Sequence, residues 1–237
     1  MKMKIRIRSL IPVCMALAVH TASAQVQPVD YVDMFMGNRG ESNCVIGPQL
    51  PHGSVNPSPQ TPGGGNDGYD PLQPIRGFGQ LHVSGTGWGR YGQILLSPQV
   101  GFSADEQGHD SPKSGESALP YYYAVTLDRY GIRTELAPTH NAAIYRFSFP
   151  AAEDANILLD IAHNIPQHIK PEIGGRFLGG AISYDPETGI IGGWGSYRGG
   201  FGSGAPYKVY FAAALDRAPR SVQCGSEIDF VGRSASE

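Results

Sequence analysis

Glycine constrains this chain more than any other feature: 32 of its 237 residues are glycine, roughly twice the usual share of about 7%. A glycine inside a helix costs about 1 kcal/mol relative to alanine, whereas turns, bulges and close backbone approaches draw on its conformational freedom. With 19 prolines added, such a chain is expected to fold as strands and shaped loops with little helix. Its length suits one large domain or two small ones, with a substantial core.

The pattern along the chain agrees. Residues 29–92 are loop-rich, and Pro57-Ser58-Pro59 and Gly63-Gly64-Gly65-Asn66-Asp67-Gly68 exclude both helix and central strand there. Phe35, Val45, Ile46, Leu50, Tyr69, Phe78 and Leu81 nevertheless give these loops something to pack with. From residue 93 onward strands are expected. Residues 121–127 and 132–137 flank Asp128-Arg129-Tyr130-Gly131, which has the length and the glycine of a hairpin loop. Residues 142–149 alternate, with Tyr145, Phe147 and Phe149 on one face and Arg146 and Ser148 on the other. Further strands are expected at 93–97, 156–161, 177–184, 189–194, 207–215 and 226–231. At Ala212-Ala213-Ala214 strand is favoured over helix because the residues at 207–211 lead into it. The series predicts an all-β protein, an antiparallel β-sandwich or barrel, of which the β-sandwich is the expectation.

The first 24 residues read as a secretory signal peptide. Lys2, Lys4, Arg6 and Arg8 precede an apolar run at 10–19, and Ala22-Ser23-Ala24 offers a cleavage site before Gln25. The run is too short to span a bilayer, and a lipoprotein signal ending at Cys14 would need small residues where Pro12 and Val13 stand. The product is therefore expected to be exported. Four of the 18 basic groups leave with this segment, so 14 remain against 21 acidic groups, a formal charge of −7. Such a surface repels phosphate backbones, so no nucleic-acid partner is expected, and no later stretch is apolar for long enough to cross a membrane. Cys44 and Cys224 remain after cleavage, either as a disulfide or as two small buried hydrophobes.

Several motifs bear on function. Gly87-Trp88-Gly89-Arg90-Tyr91-Gly92 has the G-x-G-x-x-G spacing, but it leads into a strand rather than a helix, so it is no dinucleotide site. The segment 81–92 reads instead as a tight loop displaying Trp88. An indole face suits the C–H face of a sugar ring, and its N–H can hydrogen-bond; the alternative is a core tryptophan wedged among turns. His82, Thr86 and Arg90 lie on the same segment and complete the candidate sugar-binding set with Trp88. Trp194 follows Ile190-Ile191 and is expected in the core. His163 and His168 straddle Pro166 at a spacing that makes them converge on neither helix nor strand, and no Cys/His pair has zinc spacing. No serine sits in G-x-S-x-G. Asp30, Asp33, Glu41, Asp67 and Asp70 are carboxylates on loops, and the sequence does not show whether any two flank one bond as glycoside hydrolysis requires.

An ordered set of segments covers nearly the whole mature chain. Val32-Asp33-Met34-Phe35-Met36-Gly37 is similar to a "VDPFIG" opening, and Leu81-His82 with Ser84-Gly85-Thr86-Gly87 to "THLSGTG". The segment from Tyr91-Gly92 to Ser97-Pro98 is similar to "YGDILLMP", and those at 122–127 and 130–136 to "YYSVTLDDYGIKAELT". Residues 156–163 are similar to "ANILLDLAH". Together they resemble glycoside hydrolase family 92. The resemblance implies secreted bacterial α-mannosidases, periplasmic or extracellular, that are exo-acting, inverting and calcium-dependent and act on mannose-containing glycans such as those of N-glycans. It implies that residues 25–237 form the N-terminal, galactose-mutarotase-like supersandwich, which packs on a larger helical-barrel domain carrying the acid and the base. That domain is absent here, so no catalytic residue is expected in this chain. In α-1,2-specific members a tryptophan of the "SGTG" loop helps form the leaving-sugar subsite, and Trp88 stands at that position. Gly37 to Gly47 departs from the "GTGGHGHTFPGA" of many members, so no sugar contact is carried over from that loop, and no calcium ligand is assigned. A stand-alone carbohydrate-binding module and an inactive truncated product are the rival readings.

Overall fold

The computed structural model describes residues 26–39, 44–65, 67–83, 91–152, 154–165, 174–200, 205–226 and 229–234, with Cys224, Ser226 and 229–234 described by backbone alone. Its strands are β1 (Ser58–Gln60), β2 (Gly77–Gly79), β3 (Leu95–Val100), β4 (Lys113–Leu119), β5 (Tyr122–Leu127), β6 (Ile132–Pro138), β7 (Ala143–Ser148), β8 (Ala155–Asp160), β9 (Arg176–Asp185), β10 (Ile190–Arg198), β11 (Tyr207–Ala214), β12 (Ser221–Ser226) and β13 (Asp229–Ser234). The helical content among the described residues is two short 3-10 turns, Pro28–Tyr31 and Gln107–His109. The strands form four antiparallel sheets, ordered β1-β2-β3-β8, β4-β5-β6-β7, β11-β10-β9 and β12-β13. The protein is an all-β sandwich, as its glycine content and alternation predict.

The β4–β7 meander forms one layer of the core. Its β5–β6 connection is the expected four-residue loop, closing on the pair Leu127–Ile132, with Gly131 at φ 65°. Tyr123, Val125 and Leu127 on β5 and Ile132 and Leu136 on β6 point inward, where they meet Ile46, Tyr69, Ile75 and Phe78. The other layer is therefore β2 together with the loop-rich segment before β3; of its scattered apolar residues Ile46, Tyr69 and Phe78 join the core, whereas Phe35 stays exposed. Phe78 is at its centre, with ring centroids 6.5 Å from each of Tyr123, Tyr145 and Phe147. On the outer face Glu135 accepts from Nε and Nη2 of Arg146, each at 2.6 Å, an exposed pair of small net worth.

Three strands lie where the sequence pattern shows none. β1 and β2 are three residues each and held by partners rather than by propensity. β1 is an edge strand, the place where Pro59 is tolerated. β3 pairs with β2 at Phe78–Leu96 alone, so Pro98 takes no bond from that neighbour. β4 is a polar edge strand whose register shifts between Ser114 and Ser117, with Gly115 at φ 55°, and that irregularity erases its alternation. The strand expected at 226–231 instead straddles the end of β12 and the start of β13. Ala212-Ala213-Ala214 lies within β11, as strand. Trp194 is half-buried on β10, with the Lys208 ammonium 4.1 Å from its ring, and does not enter the core cluster.

Replacing Phe78 by alanine leaves a cavity at the meeting point of both layers. Phe78→Ala is expected to lower the unfolding free energy in urea by about 3–5 kcal/mol; a loss below about 1 kcal/mol would show that the core lies elsewhere.

Candidate functional site

Gln60, the last residue of β1, is 2% exposed and organises the region beneath the segment 81–92. Its amide nitrogen donates to the Gly92 carbonyl at 2.8 Å and lies 3.1 Å from Nε2 of His82. Its oxygen faces Nε2 of His163. A carbonyl only accepts, so the Gly92 contact fixes which end of the amide is nitrogen. His82 Nε2 must then accept and its Nδ1 donate, which it does to the Asn56 carbonyl at 3.0 Å. For His163 the order reverses: Nε2 donates to Gln60. One amide thus sets the donor pattern of two buried imidazoles.

The backbone allows this only because two neighbours lack a side chain. A Cβ on Gly79 would stand 2.3 Å from the Gln60 amide nitrogen, and one on Gly92, at φ 81°, would stand 2.2 Å from it. Close to them Ile94, a buried β-branched residue, sits at φ 61°, a strained conformation of the kind that persists where its surroundings over-determine it.

The network closes the base of the segment that carries the candidate sugar-binding residues. Gly92 N donates to Leu81 O at 2.5 Å, Gln80 N to Gln93 O at 3.0 Å, and His82 N to Asn56 O at 3.2 Å. Trp88, Thr86 and Arg90 lie outside the described residues, as do Glu41 and His168. His82 is described: it is 4% exposed with both ring nitrogens engaged, so it supports the loop base and offers no free nitrogen at the surface. The ends of two further segments meet the same place. Ile165 N donates to Tyr91 O at 2.9 Å, and the Gln93 amide donates to the Tyr207 hydroxyl at 2.8 Å and to Asn164 Oδ1 at 3.2 Å. Gly200 packs so closely on the Tyr91 hydroxyl that a Cβ would be 2.3 Å from it.

On the far side of His163 the network becomes charged. His163 Nδ1 is 3.0 Å from Glu106 Oε1, and Arg76 holds Glu106 Oε2 at 2.8 Å while gripping Asp110 with two nitrogens at 2.9 and 3.1 Å. The contact with His163 holds the Glu106 carboxyl below its usual range, so Glu106 is not a proton-bearing acid. Asp160 joins Glu106 and His163 in a cluster whose ligand atoms lie within 4.8 Å of one another. Calcium, which the resemblance implies, takes about six to eight oxygen ligands; an imidazole with two carboxylates does not fit it. The loop carboxylates have local roles: Asp30, Asp33 and Asp70 accept from the backbone N–H of Gln27, Phe35 and Leu72 at 2.7, 2.9 and 2.8 Å. Sequence spacing does not bring together Gln60, Glu106 and His163, which are joined only by the fold. Asp160, the last residue of β8, and His163, three residues on, are the one part of the cluster visible in the sequence.

Comparison with known proteins bears on the same span. The sequence profile described as the glycosyl hydrolase family 92 N-terminal domain matches residues 31–234. An uncharacterized secreted glycosidase of Arthroderma benhamiae is 30% identical over 133 residues, covering 51% of this chain and 17% of that protein. The family 92 α-mannosidase of Bacteroides thetaiotaomicron superposes with a TM-score of 0.74 at 26% identity, over 86% of this chain and 28% of that one. Its complex with mannoimidazole gives 0.69 and 27%, over 80% of this chain and 25% of that one. A further family 92 glycosyl hydrolase, 23% identical over 86% of this chain and 29% of that one, shares the fold with a TM-score of 0.72. The chain thus spans under a third of each of these relatives.

The buried imidazole of His82 sets a pH dependence. Burial is the largest cause that pushes its pKa from 6.5 down to about 4. The unfolded chain therefore binds a proton at His82 in a window where the folded one does not. That contribution is intact above about pH 6.5 and is lost as the pH falls toward about 4, by on the order of 3 kcal/mol. An NMR titration should find the His82 ring neutral at about pH 5.5; titration near 6.5 would contradict the network.

Proposed function

The chain belongs to glycoside hydrolase family 92 as its N-terminal domain, and from that premise we propose that it contributes the sugar-contacting wall of an exo-acting, inverting α-mannosidase. The match of the family's N-terminal domain over 31–234 carries the reading. The convergence of three segment ends around Gln60 and Tyr91 supports it, because loops on a rigid sheet are where binding residues are displayed. In this reading Trp88 stacks on the leaving sugar, Thr86 and Arg90 bond its hydroxyls, and His82 acts through the loop base it holds. The substrate is a mannose-containing glycan of the N-glycan kind.

The general acid, the general base and the calcium site belong, in this proposal, to a helical-barrel portion of a longer enzyme. Glu106 is ill suited to the acid role, since Arg76 and His163 hold it ionised. Export to the bacterial periplasm or beyond fits the basic, apolar, small-residue order of residues 1–24, which lie outside the described residues. Among the described residues no helix is long and apolar enough to cross a membrane.

Calorimetry with α-1,2-mannobiose is expected to give weak saturable binding, Kd on the order of millimolar, that Trp88→Ala weakens about tenfold, near 1.4 kcal/mol. The chain alone should release no mannose. Hydrolysis by the purified chain, or binding indifferent to Trp88→Ala, would overturn the reading.

A further inference from the structure

The geometry points to a binding site for a divalent first-row cation of the zinc class, formed by Glu106, Asp160 and His163. Each contributes a ligand atom, and these atoms lie within 4.8 Å of one another. Closing that gap to metal-bond lengths of about 2.0–2.2 Å asks for side-chain shifts of about an ångström. Glu106, whose side chain is 43% exposed, has room to make them and leaves an entry path from solvent.

Three features beyond proximity favour a cation. The first is the donor pattern. Gln60 takes the Nε2 proton of His163, so a neutral ring would turn its Nδ1 lone pair toward Glu106 Oε1, 3.0 Å away. Lone pair and carboxylate are both acceptors, so a positive species belongs between them: a second ring proton, or a metal that Asp160 also reaches. A ligating histidine that donates its other N–H to an oxygen is the usual arrangement at protein metal sites. The second is that each carboxylate is already oriented. Arg76 holds Glu106 by Oε2 at 2.8 Å, and Asp160 Oδ1 accepts from Ala162 N at 2.7 Å, leaving one oxygen of each for a metal. The third is formal charge. Arg76 is shared by Glu106 and Asp110, and Asp160 adds a third carboxylate beside Glu106, so a divalent ion offsets the excess negative charge of the group. One nitrogen and two carboxylate oxygens suit zinc or manganese rather than calcium or magnesium. Gln60 joins the site to the base of the segment 81–92.

The test titrates zinc into the chelator-stripped chain by calorimetry and by competition with a fluorescent chelator. One-to-one saturable binding is expected, with a raised Tm and, for cobalt(II) in place of zinc, visible absorption bands of a nitrogen-and-oxygen site. Asp160→Asn and Glu106→Gln, which keep shape, should each weaken zinc at least about tenfold. His140→Gln, at an exposed histidine, should leave it unchanged. Near-UV circular dichroism verifies that each variant is folded. Absence of saturable binding, affinity unaltered in folded Asp160→Asn, or loss in His140→Gln would each overturn the assignment; the first would mean that a proton alone bridges His163 and Glu106.

Discussion

The buried amide of Gln60 is the contact on which the end of this sandwich that carries the segment 81–92 depends. It spends its nitrogen on Gly92 and His82 and its oxygen on His163, so one residue of β1 ties both ends of the segment 81–92 to the residues that follow β8. No other side chain of that size offers two donors and an acceptor in one plane. A carboxylate there would face the Gly92 carbonyl with no proton to give, and a leucine would leave three buried groups unsatisfied. Fully paired polar networks rigidify a core, and partly paired ones are costly. The glycines at 79 and 92 are the backbone's half of the same arrangement.

Much of the fold was legible in the sequence because it is written in local pattern. The alternation at 142–149 and the glycine-closed loop at 128–131 are short-range signals, and both appear in the structure as read. β1 and β2 were not legible, since three-residue strands among glycine and proline exist by virtue of partners supplied from elsewhere. β4 hid for a different reason: its bulge at Ser114–Ser117 breaks the period that would reveal it. Trp194 misled because the apolar residues before it suggest burial, whereas β10 leaves one face of the ring to Lys208.

The candidate site divides along the same line. The segment 81–92 announced itself by glycine spacing and a tryptophan. The cluster beneath it did not, because Gln60 and His163 are 103 residues apart and Glu106 and His163 57 apart. Polar residues at such distances carry no mutual signal in one sequence; β1 and β8 share a sheet only through β2 and β3, and Glu106 comes from the loop after β3. His82 changes meaning accordingly. On the sequence it sits beside Trp88 as a possible sugar contact, and in the structure both its nitrogens are committed to holding the loop.

The central claim is that Gln60 positions the Trp88 loop for sugar. A chemical-shift titration with α-1,2-mannobiose across the wild type, Gln60→Leu, Trp88→Ala and the double variant tests it most directly, with each variant's native fold verified beforehand. The account predicts that either single change removes most of the binding and that the double variant is little worse than Trp88→Ala, because both act on one element. Losses that add, or a folded Gln60→Leu that binds like the wild type, would contradict it.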